Sequence, residues 1–475
     1  MDLGAVVPEM ILAALALVLV PVAGWARAPR WRTAPAVLAG LGVIAAMGFT
    51  APMLWATPTE AFCGTYAVDP FRAAYQLLLE LGALLTLPML AAHFRGHAQE
   101  PHAPIAVLFA LVGAMGLAAS LDLGLIVLFL QMVSFPSYIL VVLARTDRRA
   151  QEAALKYFIY GAVALAVMAY GLTFLFGLTG SLNLRAIGAG LAGADPAWVA
   201  VALGLVLVGY GFEATVVPFQ FWAPDVFQGA SAPVSGFISV VPKVAAFAGL
   251  LRLLLEAMPH GLSSWPLLLA LLAAATMSWG NLVALRQRSL KRMLAYSSIA
   301  QAGYVLMAVA VAERAAGAFG AVGFYLLAYL FMNLGAFAVV AQVERAGGSD
   351  SLRAVRGLGR RAPWPAVALT LALLSLAGIP PLAGFAGKVL LLGAAIDGGM
   401  AWLAVIAAIN MAVALFYYVR VVAEMYFAPE ERATFAAPGA GYALSTVVAT
   451  AGTLALGILP ALGLVPIGLG TNLLR

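Results

Sequence analysis

The stretch Trp198–Pro218 reads WVAVALGLVLVGYGFEATVVP and carries one charged residue, Glu213. Its apolar residues do not alternate with polar ones, which argues against a strand with one face in water. The stretch is about 20 residues long, the length of a helix that crosses the hydrocarbon core of a bilayer. It therefore predicts a membrane-spanning helix with an acidic residue inside it.

The rest of the chain repeats this pattern. Hydrophobic residues make up 64% of the 475 positions and charged residues 10%, whereas a soluble domain has roughly 25% charged residues. In lipid the backbone polar groups must be satisfied internally, by helices or by a closed barrel. Fourteen apolar runs start near Leu3, Ala34, Ala73, Pro104, Leu123, Ala153, Trp198, Ala232, Trp265, Met293, Gly317, Trp364, Met400 and Tyr442. We expect an all-α integral membrane protein of about 14 transmembrane helices.

Basic residues are distributed unevenly between alternate loops. One set of loops carries Arg27, Arg30, Arg32, Arg95, Arg145, Arg148, Arg149, Arg286, Arg288, Lys291, Arg292, Arg345, Arg353, Arg356, Arg360, Arg361 and Arg432. The other side has only Arg72, Arg185, Arg314 and Arg475. Cytoplasmic loops are the ones enriched in Lys and Arg, so both termini are expected on the periplasmic side. The net charge of +6 reflects these loops and does not indicate a nucleic-acid partner.

The chain offers little to a cofactor or a metal. Its one cysteine cannot form a disulfide within the chain, an iron–sulfur cluster or a zinc site, and the histidines fall in predicted loops. These residues are Cys63, His93, His97, His102 and His260. The first run, Ala5–Val22, lacks a basic segment before it, so we expect a true first span and not a cleaved signal peptide.

Ionisable residues inside apolar runs mark candidate sites, because they are costly in a membrane. The chain has four lysines. Lys291 is predicted in a loop, while Lys156, Lys243 and Lys388 fall in or beside spans. Arginine stays protonated in proteins, whereas a lysine removed from water can release its proton. The placement of these lysines therefore favours a proton relay.

Each candidate has a simpler interpretation. Lys156 can reach the inner interface from its span, whereas Lys243 lies too deep for that. Glu213 can be a neutral acid hydrogen-bonded within the bundle. Pro218 and Pro380-Pro381 can break helices and free backbone carbonyls, as in ion-binding broken helices of transporters, although ordinary proline kinks are common in membranes.

Other charges receive structural interpretations. Asp225 is predicted in a short inner loop as a local cap or turn, and Glu80 is a buried acid without a predicted partner. Two pairs spaced four apart can form ion pairs: Arg252 with Glu256, and Arg420 with Glu424.

Four segments resemble the antiporter-like subunits of respiratory NADH:quinone oxidoreductase (complex I), and subunit N more than L or M. They are VPFQFWAPDVFQGASAPVS from Val217, EAALKYF from Glu152, LKRMLAYSSIAQAGY from Leu290 and LSLAGIPPLAGFAGK from Leu374. The resemblance runs from about residue 120 to 425 and implies two inverted five-helix repeats with broken helices 7 and 12. The implied division of the single membrane domain 1–475 is helices 1–3 in 1–103, the first repeat (helices 4–8) in 104–256, the second repeat (helices 9–13) in 265–426 and helix 14 in 440–475.

The resemblance also implies proton-path residues. Lys156, Lys243 and Lys388 match the family's lysines of the sixth, eighth and twelfth helices. Two positions depart: Gln131 stands where the family has a fifth-helix glutamate, and Glu213 where it has a seventh-helix lysine. Glutamine can hydrogen-bond but carries no net charge. We therefore expect a lost or retuned half-channel, or a Glu213 that pairs with Lys156 or Lys243 and keeps one carboxylate in the path.

The implied function is proton translocation, with Lys243 as the central relay and Lys388 as the outer release group. The resemblance also implies that no redox chemistry occurs on this chain and that NADH, FMN, iron–sulfur clusters and quinone belong to partner subunits. The implied partners are subunits M and K of the membrane arm, in the bacterial inner membrane. The alternatives are a subunit of a related cation/proton antiporter or membrane-bound hydrogenase, and a structural subunit of complex I that does not pump.

Overall fold

The computed structural model describes residues 3–25, 32–143, 147–258, 264–347, 349–429 and 439–471. Outside these ranges lie Arg27, Arg30, Arg145, His260, Arg432 and Arg475. The described residues form nineteen α-helices, α1 to α19: Val7–Trp25, Ala34–Thr50, Pro70–Phe94, Ala103–Ala119, Leu123–Leu143, Arg148–Thr179, Leu184–Leu191, Pro196–Glu213, Trp222–Gly229, Ala232–Ala257, Ser264–Ala284, Leu290–Val309, Ala318–Gly347, Leu358–Arg361, Pro363–Ala377, Ala383–Asp397, Ala401–Tyr426, Ala440–Ile458 and Ala461–Thr471. Short 3-10 helices cover Leu3–Val6, Ala51–Trp55 and Leu352–Val355.

The predicted apolar runs coincide with these helices, each run starting within a few residues of one. In the described ranges, eleven helices are long and apolar enough to cross a membrane. The helical, multi-pass architecture is therefore confirmed. The total of fourteen spans, the inverted repeats and the division at 103, 256 and 426 stay predictions.

Two spans are interrupted beside the prolines that the sequence marks. Helix α8 ends at Glu213, and α9 begins only at Trp222. Helix α15 ends at Ala377, Gly378 has a φ of 94°, and α16 begins at Ala383. The last carbonyls of a helix have no partner within it, so each interruption leaves polar backbone inside the bundle.

One element is not helical, which corrects the all-α expectation. Strands β1 (Thr59–Ala61) and β2 (Tyr66–Val68) pair antiparallel, with Glu60 opposite Ala67. This hairpin lies between α2 and α3, and a bridge joins Tyr66 to Ser120. Each strand is too short for an alternation of apolar and polar residues to distinguish it from a loop in the sequence.

The loops that were predicted on the outer side lie around the hairpin and contact one another. Arg185 forms ion pairs with Glu60 and, at 2.8 Å, with Glu256. Asp69 caps α3 and accepts hydrogen bonds of 2.5 and 3.0 Å from Arg252. Burial raises the pKa of Asp69, but the charge and hydrogen bonds of Arg252 outweigh burial and leave it below its usual value. The expected Arg252–Glu256 pair is present but longer, at 3.7 Å.

The predicted inner loops meet on the opposite side, which we call the basic face. Ser289 bridges Ser351, and Arg345 donates to the carbonyl of Ala92 at 2.8 Å. The predicted grouping of loops into two sets is thus present, while the compartment that each faces stays a prediction. One predicted pair is wrong: Glu424 binds Arg356 at 2.8 Å.

Arg420, the partner expected for Glu424, binds backbone oxygens instead. Arg420 donates to the backbone oxygens of Leu285 and Gln287, at 2.8 and 2.5 Å. Spacing on one helix indicates which side chains are neighbours but not whether another helix supplies a better partner.

Helices α10 and α13 form the centre of the bundle. Of their most apolar 18-residue windows, 94% and 89% of the residues are buried, against 33% for α1, α2, α6 and α18. A helix that is apolar on all sides belongs in such a position. The central position of α10 leaves Lys243 buried inside the bundle.

Candidate functional site

Lys243 lies midway along α10 with 1% of its surface exposed. Its Nζ donates to the carbonyl oxygen and to the Oγ of Ser298 on α12, both at 2.6 Å. The ring of Tyr329 lies 5.5 Å from the same nitrogen, and its hydroxyl donates to Ser298 Oγ at 2.8 Å. The expectation that Lys243 lies too deep to reach the interface is confirmed.

Lys388 lies in the first turns of α16, also with 1% exposed. Its Nζ donates to the carbonyls of Leu376 and Ala377, at 2.7 and 3.1 Å. These carbonyls close α15 and lack helical partners because the helix stops there. The ring of Tyr304 lies 4.7 Å from the nitrogen. The interruption of the helix therefore supplies the polar lining for the lysine.

Helix α12 lies beside both lysines, with Ser298 at Lys243 and Tyr304 at Lys388. Gln301 lies one turn beyond Ser298 and donates to the Leu376 carbonyl at 3.1 Å, so it shares an acceptor with Lys388. Gln301 also accepts from Tyr325 and donates to Tyr418 at 3.2 Å. This connection was missed by sequence reasoning. Its signal is the spacing of Ser297, Ser298, Gln301 and Tyr304 along one buried helix.

Glu213 is the last residue of α8, with 2% exposed. Its Oε2 accepts a hydrogen bond of 3.1 Å from Ser134 on α5, and its Oε1 is buried without a hydrogen-bond partner among the described residues. Gln131, one turn before Ser134, lines the same small cavity. The cavity has room for about one water molecule. The two positions that depart from the family pattern thus lie together.

The expected pairing of Glu213 with a lysine is wrong. Lys243 is directed to Ser298, while Lys156 binds Asp225 at 2.8 Å and Glu152 at 2.7 Å. In the part of the chain that the structure describes, no cation forms an ion pair with Glu213. Sequence position alone does not tell which face of α6 or α10 meets the end of α8.

Lys156 lies instead at the basic face, with 38% of its side chain exposed. It borders a polar cavity of about 230 Å³ that is also lined by Arg149 and Gln228. Asp225 connects Lys156 to Arg292, whose Nη1 lies 2.6 Å from the carboxylate. This position agrees with the interpretation that Lys156 reaches the interface.

Asp225 is therefore not the local cap that the sequence suggested. It lies inside α9, and its carboxylate bridges α6 and α12. Burial alone would raise its pKa, but the hydrogen bonds and charges of Lys156 and Arg292 hold the pKa below the usual value for aspartate. The carboxylate is ionised at neutral pH, as a bridge between two cations requires.

The prediction that Lys291 lies in a loop is also wrong. It stands in the first turn of α12 with none of its surface exposed. Its Nζ lies 2.9 Å from Glu344 on α13 and 2.8 Å from the carbonyl of Ala230. Glu344 also accepts from the backbone nitrogen of Ala232 at 3.3 Å. The Lys291–Glu344 pair therefore links α12 to α13, and its hydrogen bonds to the backbone of Ala230 and Ala232 hold the start of α10 beside them.

A separate polar group lies among the first three helices. Glu80 is fully buried and accepts from Thr50 at 2.9 Å, which supplies the partner that the sequence did not indicate. Arg72 and Gln76 both donate to Glu9. Within the described ranges, no group of three His, Cys, Asp or Glu side chains is arranged to hold a metal ion.

Comparison with known proteins identifies the family of this chain. Residues 120–414 match the family described as NADH:quinone oxidoreductase/Mrp antiporter, transmembrane. NADH-quinone oxidoreductase subunit N of Trichlorobacter lovleyi is 39% identical over 415 residues, which cover 86% of this chain and 85% of that protein.

Solved structures agree. A chain of respiratory complex I from Thermus thermophilus, solved with bound aureothin, is 38% identical, with a TM-score of 0.83 over 98% of this chain and 100% of that one. A chain of the Mrp complex from Dietzia shares the fold, with a TM-score of 0.89 at 23% identity over 100% and 98% of the two chains. The chain therefore belongs to the subunit N family of NADH:quinone oxidoreductase, among the antiporter-like membrane proteins.

Proposed function

We propose that this chain translocates protons as subunit N in the membrane arm of an NADH:quinone oxidoreductase. The observation that carries the proposal is that two buried lysines lie beside the polar residues of α12: Lys243 donates to Ser298, and Lys388 shares the Leu376 carbonyl with Gln301. A buried cation without a carboxylate partner is expensive and marks a functional site in a membrane protein. Two such lysines beside the polar residues of one buried helix support proton transfer between them.

Lys243 acts as the central relay. In its protonated form it donates to Ser298, and the loss of its proton leaves a neutral amine that can accept one again. Ser298 and Tyr329 carry hydroxyls, which both accept and donate, so a proton can cross them without a net charge remaining. The direction of transfer follows the charge state of neighbouring groups, which partner subunits change during electron transfer.

Lys388 acts as the release group toward the outer side. The carbonyls of Leu376 and Ala377 stabilise its ammonium form without a fixed counter-charge. A carboxylate in their place would hold the proton more firmly, because an opposite charge favours the charged lysine. The helix interruption thus gives a site that binds a proton and can let it go.

Proton uptake occurs in the first half of the chain. Lys156 and Asp225 border the polar cavity at the basic face, and Glu213 with Gln131 lines the small cavity inside the bundle. Glu213 is the acidic group available there to take up a proton, since Gln131 cannot. We propose that Glu213 replaces the family's fifth-helix glutamate in function without pairing to a lysine.

The redox chemistry belongs to other subunits of the same complex. NADH, FMN, iron–sulfur clusters and quinone bind there, and this chain contacts the membrane-arm subunits M and K. The complex lies in the bacterial inner membrane, with the basic face toward the cytoplasm and both termini in the periplasm. The chain itself takes part in the enzyme as a translocase.

Two other functions remain candidates. A structural subunit that does not pump is favoured by Gln131 and Glu213, because the usual carboxylate–lysine pair is absent at these positions. A subunit of an Mrp-type antiporter or membrane-bound hydrogenase shares the fold, but the 39% identity to subunit N favours complex I. Purification of the tagged chain and identification of the subunits that accompany it separates these assemblies.

The proposal is tested by a Lys388→Met variant of the intact complex in sealed liposomes. Proton pumping is followed by the quenching of an acidity-sensitive dye, and NADH oxidation by absorbance. We expect slower pumping at retained assembly, whereas the exposed, basic-face control Arg286→Gln should pump as the native complex does. Native pumping by Lys388→Met would contradict the proposal.

A further inference from the structure

A groove opens between α2, α3 and the start of α18. Its volume is about 550 Å³, and its lining is almost entirely apolar. The α2 wall presents Val37, Leu41 and Ile44, which are 60%, 58% and 53% exposed. They follow the i, i+4, i+7 spacing of one helix face. Gly40 lies between them with open space where a side chain would start.

The length of the groove matches half of a bilayer. Its lining along α3 and the residue after it runs from Leu84 to Arg95, which is about 17 Å at 1.5 Å per residue. The hydrocarbon core of a bilayer is about 30 Å thick, so one leaflet contributes about 15 Å. The groove is therefore about as long as one leaflet is thick.

The groove ends in positive charge at the basic face. Arg95 and Arg345 both line it. The hydrogen bond of Arg345 to the Ala92 carbonyl, at 2.8 Å, holds its guanidinium at the groove end. Arg95 is exposed and forms no ion pair in the described ranges. The charge of both arginines is therefore available to a ligand.

A polar recess of about 250 Å³ adjoins this end and is lined by both arginines, His93, His97 and Glu344. Glu344 is the acidic side chain among these residues, and Lys291 already binds it at 2.9 Å. The recess thus keeps a net positive character. It is large enough for a phosphate-bearing group beside an apolar groove.

We propose that this groove binds an anionic glycerophospholipid, with its phosphate at Arg95 and Arg345 and one acyl chain along α2 and α3. Charge complementarity selects this occupant: the helix of a partner protein would leave two arginines beside an apolar surface, whereas a lipid supplies the anion and the chain in one molecule. Arginine binds phosphate through parallel hydrogen bonds. Basic pockets between helices on the cytoplasmic side are typical sites for anionic headgroups.

The experiment uses the intact complex, purified in detergent and depleted of lipid. Phosphatidylglycerol with a photoreactive acyl chain is added, the sample is irradiated, and labelled peptides are identified by mass spectrometry. Phosphatidylcholine with the same acyl chain serves as the comparison. We expect the anionic lipid to label residues 36–44 and 84–92 several-fold more than the zwitterionic lipid does.

Variants separate the headgroup from the chain. An attraction of about 1 kcal/mol for each basic residue corresponds to about fivefold in binding, so Arg95→Gln with Arg345→Gln should reduce labelling by roughly 25-fold. Gly40→Phe should reduce labelling with both arginines intact, because it fills the groove. Arg286→Gln, an exposed arginine of the basic face outside the groove, should label as the native protein does.

Three results would overturn the proposal. The first is equal labelling by the two lipids, and the second is unchanged labelling in the double arginine variant. The third is absence of labelling from the native complex together with a cross-link of the groove to another subunit, which would make a protein the occupant. None of these readouts depends on proton pumping.

Discussion

Ser134 donates a hydrogen bond of 3.1 Å to Glu213, and this contact takes the place of the hypothesised partner of Glu213, Lys156 or Lys243. We predict that Glu213→Gln lowers the proton-to-electron ratio while NADH oxidation in detergent is retained. Glutamine keeps the shape and can accept from Ser134, but it cannot take up a proton. The ratio is measured in liposomes. Unchanged pumping by an assembled Glu213→Gln complex would remove Glu213 from the path.

Ser134→Ala is the matched control for that variant. It removes a hydrogen bond worth about 1 kcal/mol but leaves the carboxylate. We expect a small loss of thermal stability and near-native pumping. A loss of pumping equal to that of Glu213→Gln would assign the effect to the hydrogen bond and not to the ionisable group.

The cavity shared by Gln131 and Glu213 allows the family's pair to be rebuilt. We predict that the double variant Gln131→Glu with Glu213→Lys assembles and pumps, whereas Glu213→Lys alone assembles poorly. An uncompensated buried charge costs about 3–5 kcal/mol, which the glutamate of the double variant offsets. The amount of complex on native gels and the pumping rate are measured together. Equal assembly of the single and double variants would show that the two side chains do not interact.

The buried pair of Lys291 and Glu344 is predicted to stabilise the junction of α10, α12 and α13. Lys291→Met should destabilise the complex by about 3 kcal/mol, because the carboxylate of Glu344 loses its lysine while it remains buried. Adding Glu344→Gln should restore part of this loss. Thermal aggregation of the purified complex provides the readout. A midpoint equal to that of Arg286→Gln would contradict a structural role for the pair.

Because Asp225 and Lys156 share one ion pair, we predict that the effects of substituting them on the pumping rate are not additive. Asp225→Asn and Lys156→Met should each slow pumping, and the double variant should be no slower than the worse single one, because both remove the same contact. The pumping rates of the four proteins are compared at equal content of complex. Additive losses would mean that the two residues act separately.

The sequence predicts the helices well because each span can be identified from its own apolar composition. The prolines at 218 and 380–381 likewise mark the interruptions, since proline acts locally. The hairpin at Thr59–Val68 is not predicted, because strands of three residues are too short to show an alternation of apolar and polar residues.

Contacts of the polar residues depend on how helices are rotated against each other, which no single segment encodes. Asp225 and Lys291 were therefore assigned to loops, although each one binds residues more than 50 positions away. The depth of Lys243 was predictable, because it requires only the centre of an apolar run. The acceptor that Gln301 shares with Lys388 required the structure.

We predict that Lys243 relays protons, which the proton-to-electron ratio of the purified complex in sealed liposomes can test. The native complex is compared with Lys243→Met, which keeps most of the length of the side chain and removes the ionisable nitrogen. We expect a lower ratio in a fully assembled complex that still oxidises NADH. An unchanged ratio with coupled NADH oxidation would contradict it, and would make this chain a scaffold beside subunits that pump.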